Sequence, residues 1–183
     1  MKLNLGCGND IREGYLNIDV VDYGGNQIHD LNEYPYPFED NTFDEVLASH
    51  ILEHLNNFHD NISELYRILK PGGLLIVYAP FFLNTKYFGE PDHKIPFSIR
   101  TFDNYEYIDN RKLKFYEKWK LDHRTNYKGK AQFEVLKKKF IASNFFILKW
   151  LGFIMNLEPV MYERFFAGIF SPEEVYFKLK VIK

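Results

Sequence analysis

Four short groups of residues in this chain are of types that can do chemistry. Gly6-Cys7-Gly8 closes the apolar run Leu3-Asn4-Leu5. Glycines placed directly after a strand let a backbone approach a ligand closely, because no Cβ intervenes. Asp19 ends the next apolar run, "YLNID", and a carboxylate at the end of a second strand can accept hydrogen bonds from both hydroxyls of a ribose. Asp30 ends "QIHD", where a carboxylate can take an exocyclic amine. A fourth group, His50, Glu53 and His54, places two imidazoles four residues apart. A zinc-protease motif needs Glu directly after the first His; Ile51 stands there, so no metal centre is expected. A dinucleotide fingerprint of the G-x-G-x-x-G kind also fails, because Ile11 occupies the third glycine position. Further on, Pro91-Asp92-His93 puts an imidazole, with an ordinary pKa near 6.5, inside a proline-stiffened stretch. His93 is the candidate proton acceptor.

The elements that must position these groups follow from hydrophobic periodicity. "KLNL", "YLNIDV", "QIHDL" and "TFDEVLAS" read as four strands, and "LLIVYAP" as a fifth, apolar throughout and so expected to be buried on both faces. Between Leu55 and Leu69, Phe58, Ile62, Leu65, Tyr66 and Leu69 recur at helical spacing, and "KPGG" supplies a stop. Only Asn9 to Gly14 separate the glycine loop from the second strand. A parallel crossover normally takes a dozen residues or more, so this one is expected to be a loop or a single helical turn with Gly14 as its exit. Residues 81–110 read as a long loop, a candidate lid, with a short helix from Thr101 to Ile108. "LKFYEKWKL" and the closing "VYFKLKVIK" alternate as half-buried strands, with helices expected near 130–142 and 158–169. Residues 123–173 are taken as a helical insertion within a single domain spanning 1–183. Strands alternating with helices give an α/β fold.

Composition narrows the function classes. With 46% hydrophobic and 18% aromatic residues, the 183-residue chain can bury a sizeable core. One cysteine excludes a disulfide framework. Met1-Lys2-Leu3 runs straight into a strand, so no leader is expected, and "FFILKWLGFIM" is too short to span a bilayer. A cytoplasmic location is expected. The net charge of −2 conceals an asymmetry: residues 1–64 carry thirteen acids and two bases, whereas 111–139 carry eleven bases and three acids. A solvated basic flap beside an acidic body accounts for this, and an anionic partner is the alternative.

Taken together, "LNLGCGN", "NIDV", "HDL", "FDEVLASHILEHL" and "LYRILKPGGLLIV" resemble the class I S-adenosylmethionine-dependent methyltransferases, most closely the type 11 group, over about residues 2–80. The resemblance implies a Rossmann-like, mostly parallel sheet with an antiparallel last strand beside strand 5, in a three-layer sandwich with a shortened first crossover. It implies S-adenosylmethionine as cofactor, held by Leu5, Gly6, Cys7 and Gly8 at the methionine part, Asp19 and Val20 at the ribose, Asp30 and Leu31 at the adenine, and Ser49 and His50 closing the pocket. Asn4 stands where the family carries an acid. The group also carries a Pro-x-His stretch like Pro91-Asp92-His93. The implied function is methyl transfer to a small-molecule or glycan acceptor. An RNA methyltransferase and a non-catalytic binding or scaffold protein on the same fold are the alternatives. Nucleic acid is not expected as a partner, and a homodimer is compatible with the missing helices.

Overall fold

The computed structural model describes residues 1–107, 131–142 and 149–183. Seven strands form one sheet in the order β3-β2-β1-β4-β5-β7-β6: β1 (Lys2–Leu5), β2 (Tyr15–Asp19), β3 (Gln27–Ile28), β4 (Phe43–Ser49), β5 (Leu69–Pro80), β6 (Phe133–Ile141) and β7 (Glu174–Val181). Strands β1 to β5 pair in parallel. β7 lies antiparallel between β5 and β6, as expected for a closing strand placed beside strand 5. The helices are α1 (Phe58–Ile68), α2 (Thr85–Phe88), α3 (Lys149–Leu157) and α4 (Pro159–Phe165), with 3₁₀ turns at Leu52–His54 and Asp103–Tyr105. None of the described helices is long and apolar enough to cross a membrane.

Register assigns the two faces of the sheet. Residues paired across strands share a face, and that face alternates along each strand. Leu3, Val46, Leu75 and Leu179 form one row, and Leu5, Ala48, Val77 and Phe177 the next. All eight are fully buried. α1 packs Ile62, Leu65 and Ile68 into the same core. Its first turn is capped by Asn57, whose Oδ1 accepts from the amides of His59 and Asp60 at 3.1 and 3.3 Å. α4 reaches the same face through Tyr162 against Phe140. α3 covers the β6 edge instead: the Asn156 amide accepts from Phe140 N at 2.7 Å and donates to Phe140 O at 2.9 Å, pairing backbone that a neighbouring strand would otherwise take.

The opposite face carries Lys2, Asn4, Glu45, Leu47, Ile76, Lys178 and Lys180 in register, with Tyr15, Asn17, Tyr78 and Tyr176. Asn4, Asn17 and Leu47 are buried there, and the other residues are half-buried or exposed. Among the described residues no helix joins β1 to β2 or β2 to β3. The helical layer that a three-layer sandwich places on this face is therefore not found among them. In its place the 6–14 loop folds back over Asn4 and Asn17. Asn4 Nδ2 donates to Asp10 O (2.7 Å) and Asn17 Oδ1 (3.0 Å), and Asn17 Oδ1 also accepts from Arg12 N (2.9 Å). Gly14, at φ +79°, makes the exit turn. The expected loop crossover is present, with two buried amides standing in for a packed helix. β5 is correspondingly buried on one face only, with Leu74, Ile76 and Tyr78 half-buried on the other.

Two local expectations are corrected. The segment expected as a helix near 130–142 is strand β6. The helix stop expected at "KPGG" is present, since α1 ends at Ile68; Lys70 to Gly73, with Gly72 at φ +77°, lie inside β5 where the register jumps between Phe43 and Glu45. The helix expected from Thr101 is a single 3₁₀ turn, while Thr101 Oγ1 accepts from Ser98 N. The helix expected near 158–169 is α4. The strand expected at "LKFYEKWKL" and most of the basic segment lie outside the described residues.

Candidate active site

The site forms at the carboxyl ends of β1, β2 and β3, where ligands bind in open α/β sheets. Leu5 is fully buried and anchors the end of β1. The chain then turns at Gly6, with φ +60°. A Cβ built on Gly6 would lie 2.3 Å from Ile51 Cγ1, so both the conformation and the contact require glycine. Cys7 N donates to Ile18 O at 3.0 Å, and the Cys7 side chain points into the core at 5% exposure. Burial, and after it the neighbouring Asp19 charge, pushes the thiol's pKa up, which makes it a packing residue and not a nucleophile.

Asp19 organises the loop. Its Oδ2 accepts from Gly8 N at 2.9 Å and its Oδ1 from Val21 N at 3.1 Å. Each oxygen retains lone-pair capacity for a further donor. The backbone carbonyl of Asp19 accepts from His29 N at 2.9 Å, tying the end of β2 to the end of β3. Asp30 Oδ1 accepts from Asn32 N (2.8 Å) and Asn32 Nδ2 (3.0 Å), and Asn32 Oδ1 accepts from Asn56 N (2.8 Å). That chain of contacts closes the far wall of the cleft against the 3₁₀ turn.

The resulting cleft, of about 150 Å³, is lined by Gly6, Asp19, Val20, His29, Asp30, Leu31, Asn32, Ile51, His54 and Leu55. Of the eleven residues expected to hold a cofactor, five line it: Gly6, Asp19, Val20, Asp30 and Leu31. Leu5, Cys7 and Gly8 form the loop behind it. Asn4 is occupied pinning the crossover. Ser49 pairs with Tyr78 in the β4–β5 ladder. His50, at φ +54°, turns toward β7, with Nε2 3.8 Å from Glu174 Oε1 and Nδ1 3.5 Å from Glu53 Oε1. Those two carboxylates, Glu174 first, raise its pKa to about 9. His29, Asn32, Ile51 and Leu55 are the residues that sequence reasoning missed. The buried His29 Nε2 has no hydrogen-bond partner, which is the state of a ring placed to meet a ligand. Two strand-end carboxylates, an orphaned imidazole nitrogen and a glycine cradle fit the ribose and adenine of S-adenosylmethionine.

His93 lies beyond the cleft wall. Its Nδ1 meets Tyr87 O at 2.8 Å, its side chain is 5% exposed, and its ring lies 4.6 Å from that of His54. His54 is the imidazole of the two that lines the cleft. A second hollow, between α3 and α4, is lined mostly by apolar side chains such as Leu151, Met161 and Phe170, with Glu158 and Tyr162 as its polar members.

Comparison with known proteins agrees with this geometry. Residues 7–77 match the methyltransferase domain family. A demethylmenaquinone methyltransferase of Symbiobacterium thermophilum is 36% identical over 75 residues, covering 38% of this chain and 30% of that protein. A sterol 24-C-methyltransferase of Kluyveromyces lactis is 30% identical over 115 residues, covering 62% of this chain and 28% of that protein. The matches thus span less than a third of these curated relatives. Among solved structures, a SAM-dependent methyltransferase from Archaeoglobus fulgidus superposes with a TM-score of 0.58 at 17% identity, over 98% of this chain and 85% of that one. The YcgJ protein of Bacillus subtilis gives 0.54 at 12% identity, over 100% and 91%. These solved structures show that the chain has the fold of the S-adenosylmethionine-dependent methyltransferases, and residues 7–77 resemble the methyltransferase domain in sequence.

Proposed function

We propose that the chain binds S-adenosylmethionine in the cleft at the ends of β1, β2 and β3 and transfers its methyl group to a small-molecule acceptor. The observation that carries this reading is the convergence of Gly6, Asp19 and Asp30 on one cleft, in the chain order in which the family uses them. The bound cofactor supplies an already activated sulfonium methyl, so the protein's main task is alignment. Asp19 offers two carboxylate oxygens, held in place by Gly8 N and Val21 N, to the ribose hydroxyls. Asp30, fixed by Asn32, faces the adenine side, where the free His29 Nε2 adds a polar contact. The carboxylate conventional at the end of β1 is replaced by Asn4, whose amide nitrogen is committed to Asp10 and Asn17. The Gly6 turn and its backbone are therefore what remains to receive the methionine part. The names of the relatives, which act on quinones and sterols, support a small-molecule acceptor.

Isothermal calorimetry with S-adenosylmethionine, followed by a methyl-transfer screen against small molecules, tests the reading. Binding that is weakened about tenfold or more in Asp19→Ala, and a methylated product, support it. A folded protein with no measurable affinity for the cofactor would leave the non-catalytic scaffold reading in its place.

A further inference from the structure

We propose that Glu53, His54 and His93 form a binding site for one divalent transition-metal ion, such as zinc, in the wall of the cleft. One ligand atom from each of the three lies within 4.8 Å of the other two. In a tetrahedral site with bonds of ~2.1 Å, neighbouring ligand atoms stand ~3.4 Å apart. Small side-chain rotations therefore close the cluster on an ion. The backbone builds the convergence: the carbonyl of Glu53 accepts from Lys94 N (2.7 Å) and Ile95 N (3.0 Å), which draws the 93–95 stretch against the 3₁₀ turn and sets His93 beside His54.

Two further observations point to a cation. The Glu53 side chain is fully buried, yet neither carboxylate oxygen accepts a hydrogen bond; its nearest basic group is His50 Nδ1 at 3.5 Å. Among the described residues His50 is thus the one basic group facing this buried carboxylate, and the remaining lone pairs of Glu53 are open to a cation on the side of His54 and His93. His93 is also oriented as a ligand. With Nδ1 donating to Tyr87 O at 2.8 Å, the tautomer that leaves the Nε2 lone pair free is the one held, the arrangement that surrounds most metal-bound histidines. Glu90 (3.6 Å from His93 Nε2) and Asp92 (3.9 Å from His54 Nδ1) add negative charge at the rim. Two imidazoles and a carboxylate suit zinc, iron or manganese and leave a coordination position open. Because His54 lines the cleft, that open position borders it. A ligated His93 is not a free base, so this assignment replaces the proton-acceptor role that the sequence suggests for it. Sequence spacing concealed the site because His93 is remote from Glu53 and His54 in the chain.

The assignment does not rest on methyl transfer, and its test needs no cofactor. Chelator-treated, full-length protein is titrated with zinc chloride by calorimetry and with cobalt(II) chloride by visible absorption. The expected result is saturable binding of one equivalent with a micromolar or lower dissociation constant. Glu53→Gln, His54→Ala and His93→Ala should each weaken it tenfold or more, while His59→Gln, on α1 away from the cluster, keeps it. Glu53→Gln preserves shape, so it decides the matter if either alanine variant fails to fold. Absence of one-equivalent binding in the parent protein, or unchanged affinity in folded Glu53→Gln, overturns the assignment.

Discussion

Replacing Asp19 by alanine should separate the two tasks that this carboxylate performs. In the folded chain it accepts from Gly8 N at 2.9 Å and from Val21 N at 3.1 Å, both partly open to solvent. Hydrogen bonds to an ionised group are worth ~1.5–3 kcal/mol, and less where water can substitute. Loss of these two therefore lowers stability by about 1–2 kcal/mol, a fall in Tm of several degrees for a chain of this size. Loss of even one ribose contact of the same kind weakens S-adenosylmethionine about tenfold, since each 1.4 kcal/mol is a factor of ten. The two effects are read independently, Tm by calorimetric melting and affinity by isothermal titration well below the melting range. Asp19→Asn keeps the shape and one acceptor oxygen, so it should fall between the two proteins in both measurements. If folded Asp19→Ala binds the cofactor as tightly as the parent protein, the ribose assignment is wrong, whatever its Tm.

Gly6→Ala should be more damaging than Asp19→Ala, because it combines a left-handed φ, costing ~1–2 kcal/mol, with overlap on Ile51; Ile51→Ala in the same chain should recover part of the lost Tm, and no recovery would contradict the packing argument. Asn4→Ala removes hydrogen bonds to Asp10 and Asn17 and should cost about 1–3 kcal/mol in denaturant unfolding, whereas a neutral result would mean that the crossover is held elsewhere. His50 should titrate near 9 in metal-free protein, followed by its ring resonances in NMR. Because its folded pKa is raised above the ordinary 6.5, its contribution to stability is present below pH 6.5 and is lost as the pH climbs through 9, with Glu174, Glu53 and, next to Glu174, Lys86 as the charges facing it. His50→Gln should flatten that slope in Tm against pH, and an unchanged slope would point to another group.

Much of the parallel sheet was legible because its strands carry a two-residue alternation or a continuous apolar run, and α1 because its apolar spacing is regular. β6 was not, for a physical reason. A register irregularity between Val135 and Lys137 interrupts the alternation, and Phe133, Leu136 and Phe140 then fall at three and four, the spacing of a helix. The cleft was half legible. Asp19 and Asp30 announce themselves as the acids ending successive strands, so their neighbours Val20 and Leu31 come with them. His29 and Ile51 carry no such mark, since their role depends on how the β3 loop and the 3₁₀ turn meet across space. Cys7 and Ser49 were adjacent to the right places in sequence, but Cys7 turns into the core from the loop after β1 and Ser49 is placed by its pairing with Tyr78 at the end of β4. The bare second sheet face was foreshadowed by the short crossover, yet only register shows which side chains it leaves in view.

The nine-residue link between β1 and β2 also bears on how the chain finds its fold. Parallel pairing is ordinarily slow to form, because the intervening helix must be looped out before the first ladder contact is made. Here Lys2 meets Tyr15 and Leu5 meets Ile18 after closure of a loop shorter than the usual dozen or more residues, and each halving of a loop saves ~0.6 kcal/mol of closure entropy. The loop is also stitched from within, by Asn4 and Asn17, before any distant segment is needed. The ligand-binding end of the sheet is thus the part of a parallel fold that can assemble most locally, and φ-values near one for Asn4 and Asn17 in refolding kinetics would be its signature.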